Sequence, residues 1–141
     1  MTIFTAGDSV RVSIAGVAAL GVLCAGVLDS SPARAADLAG VWSGGGSVVL
    51  ANGTREKSHC RVTYTKASSK LFAMSAACAT ASVKVSQTAT LKKSGPNSYS
   101  GTFFNPEYGV SGQIRVTVKG KRQYVLLSGD AGRGAFSLQK R

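Results

Sequence analysis

The sequence predicts an all-β protein, a small antiparallel eight-stranded up-and-down barrel. Three observations carry this. From residue 39 onward, apolar and polar side chains alternate with a period of two, the pattern of half-buried antiparallel strands. Clusters of Gly, Asn, Asp, Ser and Pro cut that pattern into eight short segments. Beyond the apolar run near the N-terminus, no window shows the i, i+3, i+4 spacing of an amphipathic helix. Eight strands joined by short turns can close on themselves and leave no free edge. A sandwich of two sheets is the alternative.

The expected strands span residues 39–51, 54–65, 71–78, 81–92, 98–104, 110–119, 122–129 and 134–140. Gly44-Gly45-Gly46 predicts a bulge or bend in the first. Asn52-Gly53 then predicts a type I′ hairpin. On the second strand Cys60, Val62 and Tyr64 share one face, and His59, Arg61, Thr63 and Thr65 the other. After Ala67-Ser68-Ser69, the third places Phe72 and Met74 on the face of Cys78. Ala79-Thr80 is the weakest break. On the fourth strand Val83, Val85, Ala89 and Leu91 oppose Lys84, Ser86, Thr88, Thr90 and Lys92. Turns at Ser94-Gly95-Pro96-Asn97 and at 105–109 bound the fifth strand. The sixth sets Val110, Ile114, Val116 and Val118 against Gln113, Arg115, Thr117 and Lys119. Turns at 120–122 and 130–134 frame the seventh, and on the eighth Phe136 and Leu138 oppose Ser137 and Gln139. Most inward candidates are aliphatic, and eight strands is the size at which side chains nearly fill a barrel. A filled interior, with a small cavity at most, is the expectation.

The 141 residues amount to one domain, preceded by a segment of different character. Residues 12–28 carry no charge, Arg11 stands in front of them, and Ala33-Arg34-Ala35 follows. That order predicts a secretory signal peptide over 1–35 and a single all-β domain over 36–141, periplasmic or secreted and with no membrane span once cut. An uncleaved anchor is the competing reading, since a run of 17 residues sits at the lower limit for spanning a bilayer. Cys60 and Cys78 are the cysteines of the mature domain. An even number in an exported chain predicts a disulfide, and closing a loop of this length contributes roughly 3 kcal/mol.

Lys and Arg total 17 against six acids, a net charge of +11. Such a surface attracts anionic lipid headgroups, lipopolysaccharide or acidic polysaccharide. Lys119, Lys121 and Arg122 sit on or beside one turn and are the candidate contacts for that partner. Nucleic acid is not the expected ligand, because single-strand binders interleave cations with exposed aromatics and several of the aromatics here are needed inside. Catalytic material is scarce. His59 is the one histidine, its nearest acid Glu56 points to the opposite strand face, and no Gly-x-Ser-x-Gly elbow occurs. The expectation is a non-enzyme, without cofactor or metal, acting as a monomer on an anionic envelope component or a protein target; an enzyme of unknown type is the lesser alternative.

The opening Leu38-Ala39-Gly40-Val41-Trp42 resembles that of the calycin barrels: lipocalins, avidins and the periplasmic Inh-type inhibitors of metalloproteases. The resemblance implies that Gly40 and Trp42 close one end of the barrel. It lies nearest to the Inh-type proteins, which are exported, eight-stranded, and carry a Leu-x-Gly-x-Trp opening and one disulfide in the first half. It therefore implies protease inhibition as the alternative function. The chain departs from that family in having only Ala36 and Asp37 ahead of the barrel, where the family carries an inhibitory N-terminal segment.

Overall fold

The structure, a computed structural model, describes residues 37–141. The expected signal peptide and its cut site lie outside the described residues. Eight strands follow one another: β1 (Gly40–Leu50), β2 (Arg55–Lys66), β3 (Leu71–Ala79), β4 (Lys84–Gly95), β5 (Ser98–Asn105), β6 (Val110–Lys119), β7 (Arg122–Gly129) and β8 (Gly132–Lys140). Each pairs antiparallel with the next. β1 pairs with β8, from Trp42 opposite Lys140 to Leu50 opposite Gly132, so the sheet is a closed up-and-down barrel rather than a sandwich.

The sequence misplaces one strand, one turn and one bulge. β1 pairs with β2 and β8 through Gly44-Gly45-Gly46 without a register shift, and the irregularity lies instead between Lys93 and Gly95 on β4. β4 starts at Lys84 rather than 81, because the Thr80 hydroxyl accepts the N–H groups of Ser82 and Val83 and prolongs the turn. The β1–β2 connection is not type I′, which needs positive φ at both central residues. Only Gly53 is in the left-handed region, at φ 86°. Its N–H reaches Leu50 O at 2.8 Å, and Asn52 Oδ1 accepts from Thr54 N at 2.9 Å. This is a type I turn followed by a glycine bulge, one residue longer than the expected hairpin.

The alternation is nearly strict. β2 buries Ser58, Cys60, Val62 and Tyr64, β3 buries Phe72, Met74, Ala76 and Cys78, and β6 buries Ile114, Val116 and Val118. Cys60 and Cys78 stand opposite each other on neighbouring strands and are bonded, with Cα atoms 4.1 Å apart. That spacing suits a non-hydrogen-bonded antiparallel pair, whose side chains approach most closely. The bridge points into the barrel and staples the β2–β3 hairpin from within.

The even-numbered turns, together with the chain's entry at Asp37 and its exit at Arg141, gather at one end, and the odd-numbered turns at the other. The first end is closed by large side chains. Trp42 is fully buried and its indole N–H donates to Leu38 O at 2.9 Å, so Leu38 and Trp42 are fixed together across this end. Phe72 and Tyr99 meet edge to face at 5.2 Å. Tyr64 Oη donates to Gln123 Oε1 at 2.7 Å, with both residues buried.

Burial raises the Tyr64 hydroxyl above its ordinary pKa, because the phenolate would lose its water. The folded state therefore favours the neutral phenol. Its stabilising contribution is complete below about pH 10 and is lost as the pH climbs beyond it. Tyr64→Phe should flatten this alkaline loss of stability. At neutral pH it should cost about 1–2 kcal/mol, since it leaves the Gln123 carbonyl as unpartnered as its amide Nε2 already is. Chemical denaturation of both proteins from neutral to alkaline pH checks this; parallel profiles would contradict it.

Candidate functional site

The opposite end is open. An apolar cup of about 400 Å³ lies within the mouth. Val48, Val85, Val110 and Leu127 form its walls, Phe103 and Phe136 its lower sides, and Cys78 part of its floor. Below the floor the lumen narrows to a gap of about 20 Å³ among Cys60, Val62, Tyr64 and Met74, room for roughly one water. The barrel is thus filled at one end and hollow at the other. This corrects the expectation of a filled interior.

The hollow has a specific cause in the registers. Gly46 on β1 faces Phe136 on β8, and Gly112 on β6 faces Phe103 on β5. A Cβ at Gly46 would come within 2.7 Å of the Phe136 ring, and one at Gly112 within 2.7 Å of the Phe103 ring. Each ring occupies the space left by the missing side chain and lies against the wall instead of crossing the lumen. Two aromatic residues that would otherwise plug the mouth line it.

Polar groups in the cup are few and mostly uncharged. Ser58 and Gln87 face inward from β2 and β4, and Asn105 ends β5. Asn105 Oδ1 accepts the N–H groups of Glu107 and Tyr108 at 3.1 and 3.2 Å, which holds the β5–β6 turn at the rim. Glu56, half-buried at the rim, takes a hydrogen bond from Ser82 Oγ at 3.0 Å and ties the start of β2 to the β3–β4 turn. The rim is therefore tied at two turns by side-chain bonds before any ligand arrives. His59 is exposed on the outer surface of β2, away from the cup.

Lys119, Lys121 and Arg122 are exposed at the β6–β7 turn, on the closed end. They have company there. Lys66 and Lys70 flank the β2–β3 turn, Lys92 and Lys93 lie near the end of β4, and Lys140 and Arg141 terminate the chain. Lys93 and Lys140 are half-buried and the others exposed. Lys140 Nζ donates to Asp37 O at 3.1 Å and lies 5.5 Å from the centre of the Trp42 ring. Among the described residues, Asp37 is the single acidic side chain at this end; Glu56, Glu107 and Asp130 all belong to the open end. Gly40 has φ 121°, and a Cβ there would press on the Lys140 side chain at 3.3 Å, so Gly40, Trp42 and Lys140 form one cluster.

The cup was missed in the sequence because its hollowness depends on which residues face each other across strands. The polarity of the charge was missed although a signal existed. In an up-and-down barrel, turns of one parity share an end, and most of the lysines and arginines stand near even-numbered turns.

Fold and cup together define a closed antiparallel barrel with a ligand-sized opening at one end. Neither a protein-family profile nor a curated protein matches the chain in sequence. In fold it is similar to a redesigned β-barrel, mFAP1, bound to DFHBI, with a TM-score of 0.63 and 12% identity over 73% of this chain and 94% of that one. It is also similar to EF1p2_mFAP2b bound to DFHBI, at 0.61 and 13% over 74% and 94%. A further redesigned barrel, b11L5F_LGL, gives 0.59 and 13% over 74% and 91%. These likenesses are of fold.

Proposed function

We propose that this chain is an exported, non-enzymatic, monomeric binding protein of the periplasm or exterior. Its open end takes a small, mainly apolar, uncharged molecule, and its basic surface meets an anionic envelope partner. The observation that carries the ligand reading is the cup: about 400 Å³, walled by aliphatic and aromatic side chains, at the end the plug leaves open. Ligand sites commonly span ~300–1,000 Å³, with apolar walls and a few polar groups that fix orientation. Ser58, Gln87 and Asn105 supply such groups here. A charge carried below the rim is disfavoured, because Glu56 and Arg133, the charged residues of the lining, both stand at the open end and the deeper walls are uncharged. Two barrels of similar fold are described as bound to a small molecule, DFHBI, which supports treating such a barrel as a container.

The cup's single carboxylate, Glu56, is engaged by Ser82, and no histidine faces it, which supports the non-enzymatic reading. The Inh-like inhibitor suggested by the Leu38–Trp42 opening remains the second reading. In this structure those residues are used to plug the closed end. Stoichiometric loss of metalloprotease activity on adding the barrel would establish inhibition instead.

Val85→Trp tests the ligand reading, because Val85 is half-buried on the wall and its enlargement fills the cup without entering the packed core. An uncharged, environment-sensitive fluorophore should bind the wild type saturably and the variant at least on the order of 10-fold more weakly, about 1.4 kcal/mol. Equal binding by both would remove the cup from the account.

A further inference from the structure

We infer that the closed end is a docking face for an anionic phospholipid surface, which holds the barrel upright with its mouth turned away from the membrane. This rests on the anionic-partner reading above and adds to it the place, the partner and the orientation. The observation is the segregation of charge. Among the described residues, nine cationic side chains stand on the closed end against one acidic side chain, Asp37, whereas the other three acidic side chains stand on the open end beside Arg55, Lys57, Lys84 and Arg133.

Distance makes the segregation effective. Strands of 8–12 residues rising ~3.3 Å per residue, tilted as barrel strands are, separate the ends by roughly 25 Å. The Debye length at physiological ionic strength is about 8 Å. A charged surface at the closed end therefore responds to the nine cations there and is screened from the acids of the mouth. Composition alone describes a uniformly basic molecule; the fold makes it a polar one.

Geometry selects the kind of partner. The cations stand on three separate turns and on the end of β8, spaced around the circumference of a plugged end. A plane meets such a ring all at once. A nucleic-acid strand would meet it along a line, and would find little to stack on. Trp42 is buried, and the exposed Tyr124 ring already lies 6.0 Å from Lys119 Nζ. Phe104 and Tyr108, the other exposed aromatics among the described residues, belong to the open end. Phosphate headgroups in a bilayer supply the plane, and each cation near such a surface adds to the attraction.

The experiment compares two triple charge reversals of equal size. One is Lys119→Glu, Lys121→Glu and Arg122→Glu on the closed end. The other is Arg55→Glu, Lys57→Glu and Lys84→Glu on the open end. All six residues are exposed, so both variants should fold, and circular dichroism confirms it. Partitioning is measured on vesicles of phosphatidylglycerol and phosphatidylcholine at low salt. Energy transfer from Trp42, the one tryptophan of the chain and a residue of the closed end, to a dansylated headgroup reports orientation. The wild type and the open-end variant should bind within a few-fold of each other and show transfer. The closed-end variant should lose on the order of 100-fold in partitioning, and its transfer with it. Equal losses in both variants would overturn the docking face while leaving an anionic partner in place. No binding by the wild type would overturn both. Displacement from vesicles by DNA at matched phosphate concentration would overturn the lipid assignment.

Discussion

Gly101→Ala should destabilise the barrel by about 3 kcal/mol or more, although it adds a single methyl group. A Cβ at this position would lie 1.8 Å from Thr90 O and 3.1 Å from Leu91 Cα, both backbone atoms of the neighbouring β4. No rotamer change can relieve such a clash; the β4–β5 pairing itself must move. Overpacking of this kind costs ~1–3 kcal/mol when neighbours can shift, and more when they cannot. Gly45→Ala is the control. Its added Cβ meets only Ser58 O, at an ordinary 3.6 Å, and Gly45 is exposed. That change should be neutral or stabilise by a few tenths of a kcal/mol, because it reduces the freedom of the unfolded chain. Urea denaturation of the two variants should separate their midpoints widely; coincident midpoints would refute the close approach at Gly101.

Removing the Cys60–Cys78 bond should have an effect of similar size. The bridge closes a loop of 18 residues between strands that are already paired. Its contribution lies mainly in restricting the unfolded chain, and its loss from a small domain typically costs 2–5 kcal/mol. Domains of this size have a total stability of only about 5–15 kcal/mol. Cys60→Ala with Cys78→Ala adds a packing loss, since both sulfurs are buried and Cys78 lines the cup floor. Denaturation of the oxidised protein, the reduced protein and the double variant should give midpoints in descending order. A reduced protein as stable as the oxidised one would contradict the role assigned to the staple.

Much of this architecture is legible in the residues themselves. The run Cys60, Val62, Tyr64 against His59, Arg61, Thr63 gives strand, face and burial at once, because a period of two has only one way to sit on a half-buried sheet. The disulfide follows from two cysteines on the inward faces of neighbouring strands. The cup is different. Nothing local to Gly46 says that Phe136 will lie in the space it leaves, and nothing local to Gly112 announces Phe103; both pairings exist only once the registers are set. Strand propensity also lost to local side-chain chemistry at the start of β4, where the Thr80 hydroxyl prolongs the preceding turn. The candidate contacts Lys119, Lys121 and Arg122 were visible as a basic turn. Their membership of a larger basic end depends on where the strands finish.

The barrel carries one defining asymmetry, a plugged basic end and an open apolar end. Methyl-resolved NMR titration with an uncharged apolar ligand tests it most directly, since reporters stand at both ends. Saturable shifts should appear at Val48, Val85, Val110 and Leu127 around the cup, while Leu91, Val118 and Leu138 behind the plug stay still. Shifts confined to the plugged end, or scattered without saturation over the outer surface, would contradict the claim that the mouth is the binding site.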